Sequence, residues 1–505
     1  MRIVAGNGAN CLKLVCQSEA GLPSLRAGGP PAARSAKMGT ARLAALQGAR
    51  FLCSLWVVLK HATWQVGRDS HCSFDVSTDS MTQDHHKVNG PWTPLTLWMF
   101  RSDIAVVFFA HLSGFVTHWA YADKRMYSHL GAVLQYYVRR IGRVVVSTLI
   151  ALAIMWCPAS TATMEMSTAR HVRCFTMVEA WGYWPLGTNG LAWLPWSAAP
   201  CANPVIWTIA SMVPGWLLYP ATQKVLRLVE AAGGLFGLIV SWGLLFGCVM
   251  GMCAVSASSL SPSTFLYRSP IAITLHMVMG SVTAAMSRRH APRVNEATSA
   301  ISESTPLTSP APLPNQEPGS SKLRRCWIHA AAALSDVCAL GLCVLSLTPH
   351  PTSSVQPVDG CRAGYEVFIL HASAPLLDGF MYGYAVAASL GGRPVHERLL
   401  GHPALSSLGN YTFGIYLFQF RIIEWWLLVV PDGDEENSQL LGPAALVVYL
   451  ASLLTFAGAY TIYLEEPFAR RVLGQITKGW ESKRIWSTSG VRCLDRSKHR
   501  NTSGV

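Results

Sequence analysis

Charged side chains are scarce in this sequence. They make up 13% of the 505 residues, whereas an average soluble domain carries about 25%, and apolar residues make up 51%. The shortage argues against a soluble protein and leaves long stretches with hardly any charge. A helix crosses a bilayer with about 20 mostly apolar residues, and we count about ten such stretches. They are residues 43–65, 95–121, 138–157, 205–223, 232–255, 265–287, 327–347, 366–390, 405–430 and 441–463.

The sequence also lacks three other patterns. The apolar stretches do not alternate with polar residues, which disfavours strands. No internal repeat of the transporter kind is visible. The 14 cysteines form no Cys/His set with metal-ligand spacing, so we expect no metal site. The predicted fold is therefore all-α, a polytopic transmembrane bundle of about ten helices.

Acidic residues are outnumbered, and the net charge is +13. A nucleic-acid partner would explain that excess, but the distribution of the charges favours a lipid bilayer. With a cytosolic N-terminus, roughly 30 Lys and Arg residues outside the spans fall on the N-terminal side and about 6 on the other, the asymmetry typical of membrane proteins. This pattern predicts a multi-pass protein with both termini in the cytosol and no nucleic-acid partner. It does not identify the membrane, which could be the plasma membrane or an endomembrane.

The segments outside the spans have distinct compositions. Residues 1–42 lack the apolar region of a signal peptide, and we predict a disordered cytosolic tail there, with a transit peptide or a true start at Met38 as alternatives. A membrane domain over 43–470 follows. Within it, the polar segment 288–326 is predicted to be a disordered cytosolic loop. Residues 471–505 are predicted to form a basic cytosolic tail.

Three ionisable residues lie within the first apolar stretch: Arg50, Lys60 and His61. Such residues are costly in a bilayer and usually functional. Arg50 and His61 are eleven residues apart, so they share one helix face at a separation of about 16 Å. His61 suits a general base. In the alternative interpretation, Arg50 reaches the headgroups and His61 satisfies a nearby carbonyl.

Two further clusters lie at the start of the third apolar stretch and within the second. Arg140 and Arg143 are three residues apart and share a face, where two guanidinium groups could grip a phosphate or anchor the helix at the cytosolic surface. In the second stretch, Ser113-Gly114 favours close approach of another helix, and no nucleophile elbow surrounds Ser113.

These clusters, in this order, resemble the membrane acyltransferase-three family. The resemblance spans residues 42–470, although 230–400 matches by hydropathy alone. Its specific part is the combination of Arg-x-x-Arg with an Arg and a His that have ten residues between them. The matching residues are Arg50 and His61; Phe109 and Leu112 to Phe115; Arg140 and Arg143; Asn203, Trp207 and Thr208; Leu408 to Leu417; and Glu466-Pro467-Phe468.

Three positions depart from the family pattern. Met212 stands where a Glu is usual, Val107 where an Asp is frequent, and Gln419 where a His is found. A base needs an orienting carboxylate or carbonyl within hydrogen-bond reach. We name Asp103 and Asp378 as candidates for that role. The departures leave open whether the chain is a divergent enzyme or a descendant without catalysis.

The resemblance implies an O-acyltransferase that moves an acyl group, expected to be acetyl, from cytosolic acyl-CoA to a hydroxyl of a glycan or lipid. Arg140 and Arg143 would hold the CoA phosphates, Arg50 would guide the pantetheine arm, and His61 would be the base. Acyl-CoA would be the donor substrate, and no permanently bound cofactor is expected. The alternatives are a membrane transporter and a non-catalytic receptor or scaffold.

Overall fold

A computed structural model describes twelve ranges of the chain: 43–66, 98–99, 101–124, 126–128, 130–155, 172, 174–177, 205–257, 269–290, 318–347, 370–429 and 443–475. Within these ranges the regular structure is helical and no strand occurs, so the all-α prediction is confirmed there. The α-helices are α1 (Ala44–Val66), α2 (Asp103–Tyr121), α3 (Leu130–Tyr137), α4 (Arg143–Met155), α5 (Ile206–Ala257), α6 (Pro270–His290), α7 (Pro318–Leu347), α8 (Ala374–Ser389), α9 (Glu397–Leu400), α10 (Pro403–Leu408), α11 (Thr412–Val429), α12 (Pro443–Tyr460) and α13 (Glu466–Phe468).

Two other kinds of helix join these elements. The 3₁₀ turns are Met126–Ser128 and Gly409–Tyr411. The π-helical segments are Val138–Gly142, Thr461–Glu465 and Ala469–Leu473.

Five helical stretches of the described residues are long and apolar enough to cross a membrane. They are Asp103–Tyr121, Ile206–Ala254, Pro270–His290, Lys322–Leu347 and Ala445–Val472. This finding agrees with a membrane protein at the level of helix length and composition. The count of about ten spans and the cytosolic position of both termini stay predictions.

Helix α5 unites two apolar stretches, 205–223 and 232–255, that the sequence analysis counted as separate spans with residues 224–231 between them. That segment is helical, and the break comes at Gly234, with φ +59° and ψ −141°. Only glycine adopts this conformation readily, because a Cβ atom would clash with the backbone. The change of direction therefore needs no polar loop. In the predicted loop 288–326, α6 continues to His290 and α7 begins at Pro318, while 291–317 lies outside the described residues.

Helices α2 and α6 form the centre of the bundle and cross at very short range. A Cβ atom on Gly114 would lie 1.8 Å from the carbonyl oxygen of Met277, and one on Gly280 would lie 2.0 Å from that of His111. Neither position can therefore carry a side chain without moving a backbone. The predicted packing role of Gly114 is confirmed, and α2 is held rigidly where it carries polar residues.

Helix α1 is held near its beginning and again farther along. Near its beginning, a Cβ atom on Gly48 would lie 1.9 Å from the carbonyl oxygen of Leu400, and one on Gly409 would lie 2.5 Å from that of Gln47. Farther along, the ring of His61 contacts that of Phe420 on α11. These contacts hold α1 at two places and so fix where Arg50 and His61 lie in the bundle.

Candidate active site

His61 points into the bundle, where its ring packs against that of Phe420 at 4.7 Å between centroids. Its Nδ1 atom lies 2.9 Å from Oε1 of Gln419. The amide of Gln419 has only one sensible orientation, because its Nε2 donates to the carbonyl oxygen of Tyr416 at 3.0 Å. Oε1 is an acceptor only, so Nδ1 of His61 carries the proton. The lone pair is then on Nε2, the arrangement that a general base requires.

The two carboxylates named as orienting candidates have other partners. Asp103 accepts a hydrogen bond from Lys60 Nζ at 2.6 Å, and Asp378 lies 3.0 Å from Nδ1 of His111. The hydrogen-bond partner of His61 is thus the amide carbonyl of Gln419. The sequence analysis noted Gln419 only as a departure from the family pattern. The position of Gln419 one turn after Tyr416 could have identified it, because the carbonyl of Tyr416 can orient the Gln419 amide.

The other motif residues near His61 form a buried layer between α2, α5 and α11. Thr208 Oγ1 and the hydroxyl of Tyr416 lie 2.7 Å apart, and the Tyr416 ring contacts that of Phe109. Trp207 is buried beside them, whereas Asn203 lies outside the described residues. Segments far apart in sequence therefore meet at this level of α1.

Apolar residues occupy the two positions where the family pattern has an acidic residue. Met212 is buried in the core that α1, α5, α11 and α12 share, and Val107 is buried in the core between α2 and α8. At both positions the side chain therefore contributes apolar packing, where the family pattern has a carboxylate.

A second polar group surrounds Arg140. Its Nη2 donates to Oγ of Ser113 at 2.9 Å, and the guanidinium lies 5.6 Å from the ring centroid of Trp216. Trp216 Nε1 donates to the same Ser113 oxygen at 2.8 Å. The Ser113 oxygen is therefore an acceptor that orients two donors. This arrangement does not activate it as a nucleophile.

Arg50 and Arg143 belong to the same group. Arg143 Nε donates to Oε1 of Glu465 at 2.7 Å, and Arg50 interacts electrostatically with Arg140, Arg143 and Glu465. The three arginines named as a donor site are thus brought together, and the carboxylate of Glu465 interacts with two of them, Arg143 and Arg50. We call Arg50, Arg140, Arg143 and Glu465 the arginine cluster.

Two features of the arginine cluster indicate a ligand site. Within the described residues, Nε of Arg140 and Oε2 of Glu465 are buried without a hydrogen-bond partner. Both residues also lie in π-helical segments, which are rare and frequently mark functional sites. Glu465 was missed by the sequence analysis, although it directly precedes the matching residues Glu466-Pro467-Phe468. Within the same described ranges, no group of three His, Cys, Asp or Glu residues could hold a metal ion.

Comparison with known proteins assigns this arrangement to a family. Residues 43–464 match the model of the acyltransferase-3 family, described as an acyltransferase domain. Neither the curated proteins nor the solved structures contain a match to the chain. The match covers well over half of the sequence and includes both the His61 region and most of the arginine cluster. The chain therefore belongs to the acyltransferase-3 family and is an acyltransferase enzyme of the membrane.

Proposed function

We propose that this enzyme transfers an acyl group, acetyl in the first instance, from cytosolic acyl-CoA to a hydroxyl of a glycan or lipid acceptor. The observation that carries the proposal is the hydrogen bond between His61 and Gln419, which leaves Nε2 of His61 as the free base. Nε2 takes the proton of the acceptor hydroxyl, and the hydroxyl oxygen attacks the thioester carbonyl. The carbon–sulfur bond breaks, and the proton passes from the imidazolium to the thiolate of CoA.

The arginine cluster binds the donor in this proposal. It contains three cations and one carboxylate, so it retains positive charge for the phosphates of CoA. Guanidinium groups hold phosphates through paired hydrogen bonds, and the unpartnered Nε of Arg140 is available for one of them. Arg50 and His61 are about 16 Å apart along α1. An extended pantetheine arm spans about that distance, so the thioester reaches His61 while the nucleotide stays near the arginines.

We also infer a multi-pass topology of about ten spans with both termini in the cytosol. Each predicted apolar stretch overlaps a helix, and the last turn of α6 is rich in cations, which supports a cytosolic end there. Cysteine-labelling scanning in intact membranes tests the topology. Labelling of residues 291–325 and 432–438 from the same side would contradict it.

The central experiment measures acyl transfer by the purified protein in lipid nanodiscs with labelled acetyl-CoA and a panel of glycan and lipid acceptors. We expect His61→Ala to lower the transfer rate by about 10²- to 10⁴-fold, the usual contribution of a general base, and to leave donor binding intact. His329→Ala is the matched control, because that imidazole is exposed on α7. A normal rate in His61→Ala would place the base elsewhere. Failure of the wild type to transfer to any acceptor would contradict the proposed substrates.

A further inference from the structure

Four ionisable side chains are buried together at the junction of α2, α6 and α8, apart from the His61 region and the arginine cluster. They are His111, His276, His371 and Asp378, with 0%, 0%, 1% and 4% of their surface exposed. We call them the histidine chain. Three imidazoles and a carboxylate in the core of a membrane protein carry a large desolvation cost, and such groups usually have a function.

The four side chains are linked in a line. His276 joins two neighbours, because its Nδ1 lies 2.8 Å from Nε2 of His111 and its Nε2 lies 2.7 Å from Nδ1 of His371. His111 reaches the carboxylate, with 3.0 Å between its Nδ1 and Oδ1 of Asp378. The distance between these two atoms is that of an ion pair, but their geometry is not that of a hydrogen bond. The other oxygen of Asp378 accepts a hydrogen bond from Trp242 Nε1 at 2.7 Å.

This geometry differs from that of a metal site. Metal ligands direct their lone pairs at one common point about 2.0–2.1 Å away. In the histidine chain, the two ring nitrogens of His276 face in opposite directions and each lies within hydrogen-bond distance of another ring. A nitrogen–nitrogen contact of 2.7 or 2.8 Å requires a proton between the two atoms. The contacts are therefore proton-sharing bonds, and no metal-binding group is found among the described residues.

Each ring-to-ring bond can run in either direction, because the donor and acceptor depend on the tautomer. The carboxylate of Asp378 favours a proton on Nδ1 of His111, 3.0 Å away. With that proton in place, the neutral chain has every ring protonated on Nδ1, so that His371 donates to His276 and His276 donates to His111. Nε2 of His371 then has a lone pair. That atom is buried and has no hydrogen-bond partner within the ranges that the structure covers.

The carboxylate end lacks a countercharge in this neutral arrangement. A buried carboxylate with a single aligned donor is costly, and an imidazolium on His111 would compensate for it. The electrostatic partners of His276 and His371 are histidines of the chain itself. On α7 the neighbouring ionisable group is the thiol of Cys338, which lies against Gly379.

We propose that the histidine chain is a proton-binding relay that takes up one proton at Nε2 of His371 and stores it as an imidazolium on His111 beside the carboxylate of Asp378. The incoming proton binds Nε2 of His371, and the proton on Nδ1 of His371 moves to Nε2 of His276. The Nδ1 proton of His276 then moves to Nε2 of His111. Both nitrogen–nitrogen bonds reverse, one proton has been added, and the positive charge lies next to the carboxylate.

Nuclear magnetic resonance of the full chain in lipid bilayers, with nitrogen-15 in the histidine rings, tests this relay. The ring signals are assigned by single His→Gln variants and followed through a pH titration. We expect His111 to become an imidazolium in the same step in which His276 and His371 change from the Nδ1–H to the Nε2–H tautomer. His329 is exposed and serves as an independent reference. Fixed tautomers down to the pH of unfolding would show a static hydrogen-bond network and overturn the proposal.

The carboxylate variant tests where the proton is stored. Asp378→Asn keeps the shape but removes the negative charge, so the titration midpoint of the chain should move to lower pH by more than about one unit. Asp123→Asn is the matched control, because that carboxylate is exposed and pairs with Arg288. A wild-type midpoint in Asp378→Asn would mean that the proton is stored elsewhere. Acyl transfer is not needed for either measurement, so failure of the relay and failure of the proposed function are separable.

Discussion

Two residues of α2 that lie two positions apart belong to opposite kinds of polar site. His111 faces α6 and α8, where its partners are His276 and Asp378. Ser113 is rotated by about 200° on the helix, and its partners are Arg140 and Trp216. The histidine chain contains its own carboxylate and bonds mostly within itself. The arginine cluster has more cations than carboxylates and keeps a buried Nε of Arg140 without a partner in the described ranges.

This difference indicates what each face of α2 can bind. A cluster with surplus charge and open donors is suited to an anion from outside, such as a phosphate. A closed chain of imidazoles can accept only something as small as a proton. The same contrast separates the individual histidines, because His61 is held by a neutral amide while His111 lies beside a carboxylate. A neutral amide fixes a tautomer and stabilises the charged ring less than a carboxylate does, which suits a base that must start neutral.

The largest effect is expected from removing two cations of the arginine cluster. Arg140→Gln with Arg143→Gln should raise the KM for acetyl-CoA by about 10²- to 10⁴-fold, since each charged hydrogen bond contributes about 1.5–3 kcal/mol. Arg324→Gln with Arg325→Gln, both exposed on α7, is the matched control. Direct donor binding by calorimetry checks the result. Equal donor affinity in the double variant and its control would leave the arginines with an anchoring role only.

A smaller effect is expected from Gln419→Leu. The change removes the acceptor that holds Nδ1–H of His61, so the ring is no longer fixed in its basic tautomer. We expect kcat to fall by about 10- to 100-fold, corresponding to about 1.4–2.8 kcal/mol, with unchanged donor affinity. Gln419→His, which introduces the residue found in the family pattern, should recover much of the rate. If donor affinity and kcat fall together in Gln419→Leu, the amide supports the fold rather than the base.

Much of this arrangement could be predicted from the sequence, and the reasons are local. The eleven-residue spacing of Arg50 and His61 and the three-residue spacing of Arg140 and Arg143 depend only on helix geometry. The apolar stretches followed from hydropathy, and the expectation of close packing at Gly114 followed from the small residues Ser113-Gly114. These features need no knowledge of which helices are neighbours.

The partners of those residues could not be predicted, because they depend on which helices meet. Gln419 lies 358 positions from His61, and Glu465 lies 322 from Arg143. The histidine chain joins α2, α6 and the start of α8 at single residues that carry no shared motif. Asp378 was therefore assigned to the wrong histidine as a candidate partner, although its burial in a span was anticipated. The merging of two apolar stretches into α5 depended on one backbone angle at Gly234.

Ser113→Ala should have a modest effect that separates two roles for this hydroxyl. The variant removes the acceptor for Arg140 and Trp216, and we expect donor affinity to fall by about 3- to 10-fold, corresponding to about 1 kcal/mol. Ser281→Ala is the matched control, because its buried hydroxyl donates only to backbone carbonyls. A nucleophile would behave differently, since its removal typically lowers kcat by about 10⁶-fold. Single-turnover transfer measured at saturating donor distinguishes the two outcomes.

The smallest effect on acyl transfer is expected from His111→Gln, on the other face of α2. The variant interrupts the histidine chain between Asp378 and His276, and the proton-linked tautomer change of His276 and His371 should disappear. Within the described ranges the side-chain partners of His111 are His276 and Asp378 rather than His61 or the arginines, so the rate per donor-binding molecule should stay within about threefold of wild type, a change below about 0.7 kcal/mol. Dividing the transfer rate by the number of donor-binding molecules corrects for any loss of folded protein in the variant. A fall as large as that of His61→Ala would mean that the two faces of α2 act as one site, and the proton on the histidine chain would then belong to the transfer reaction itself.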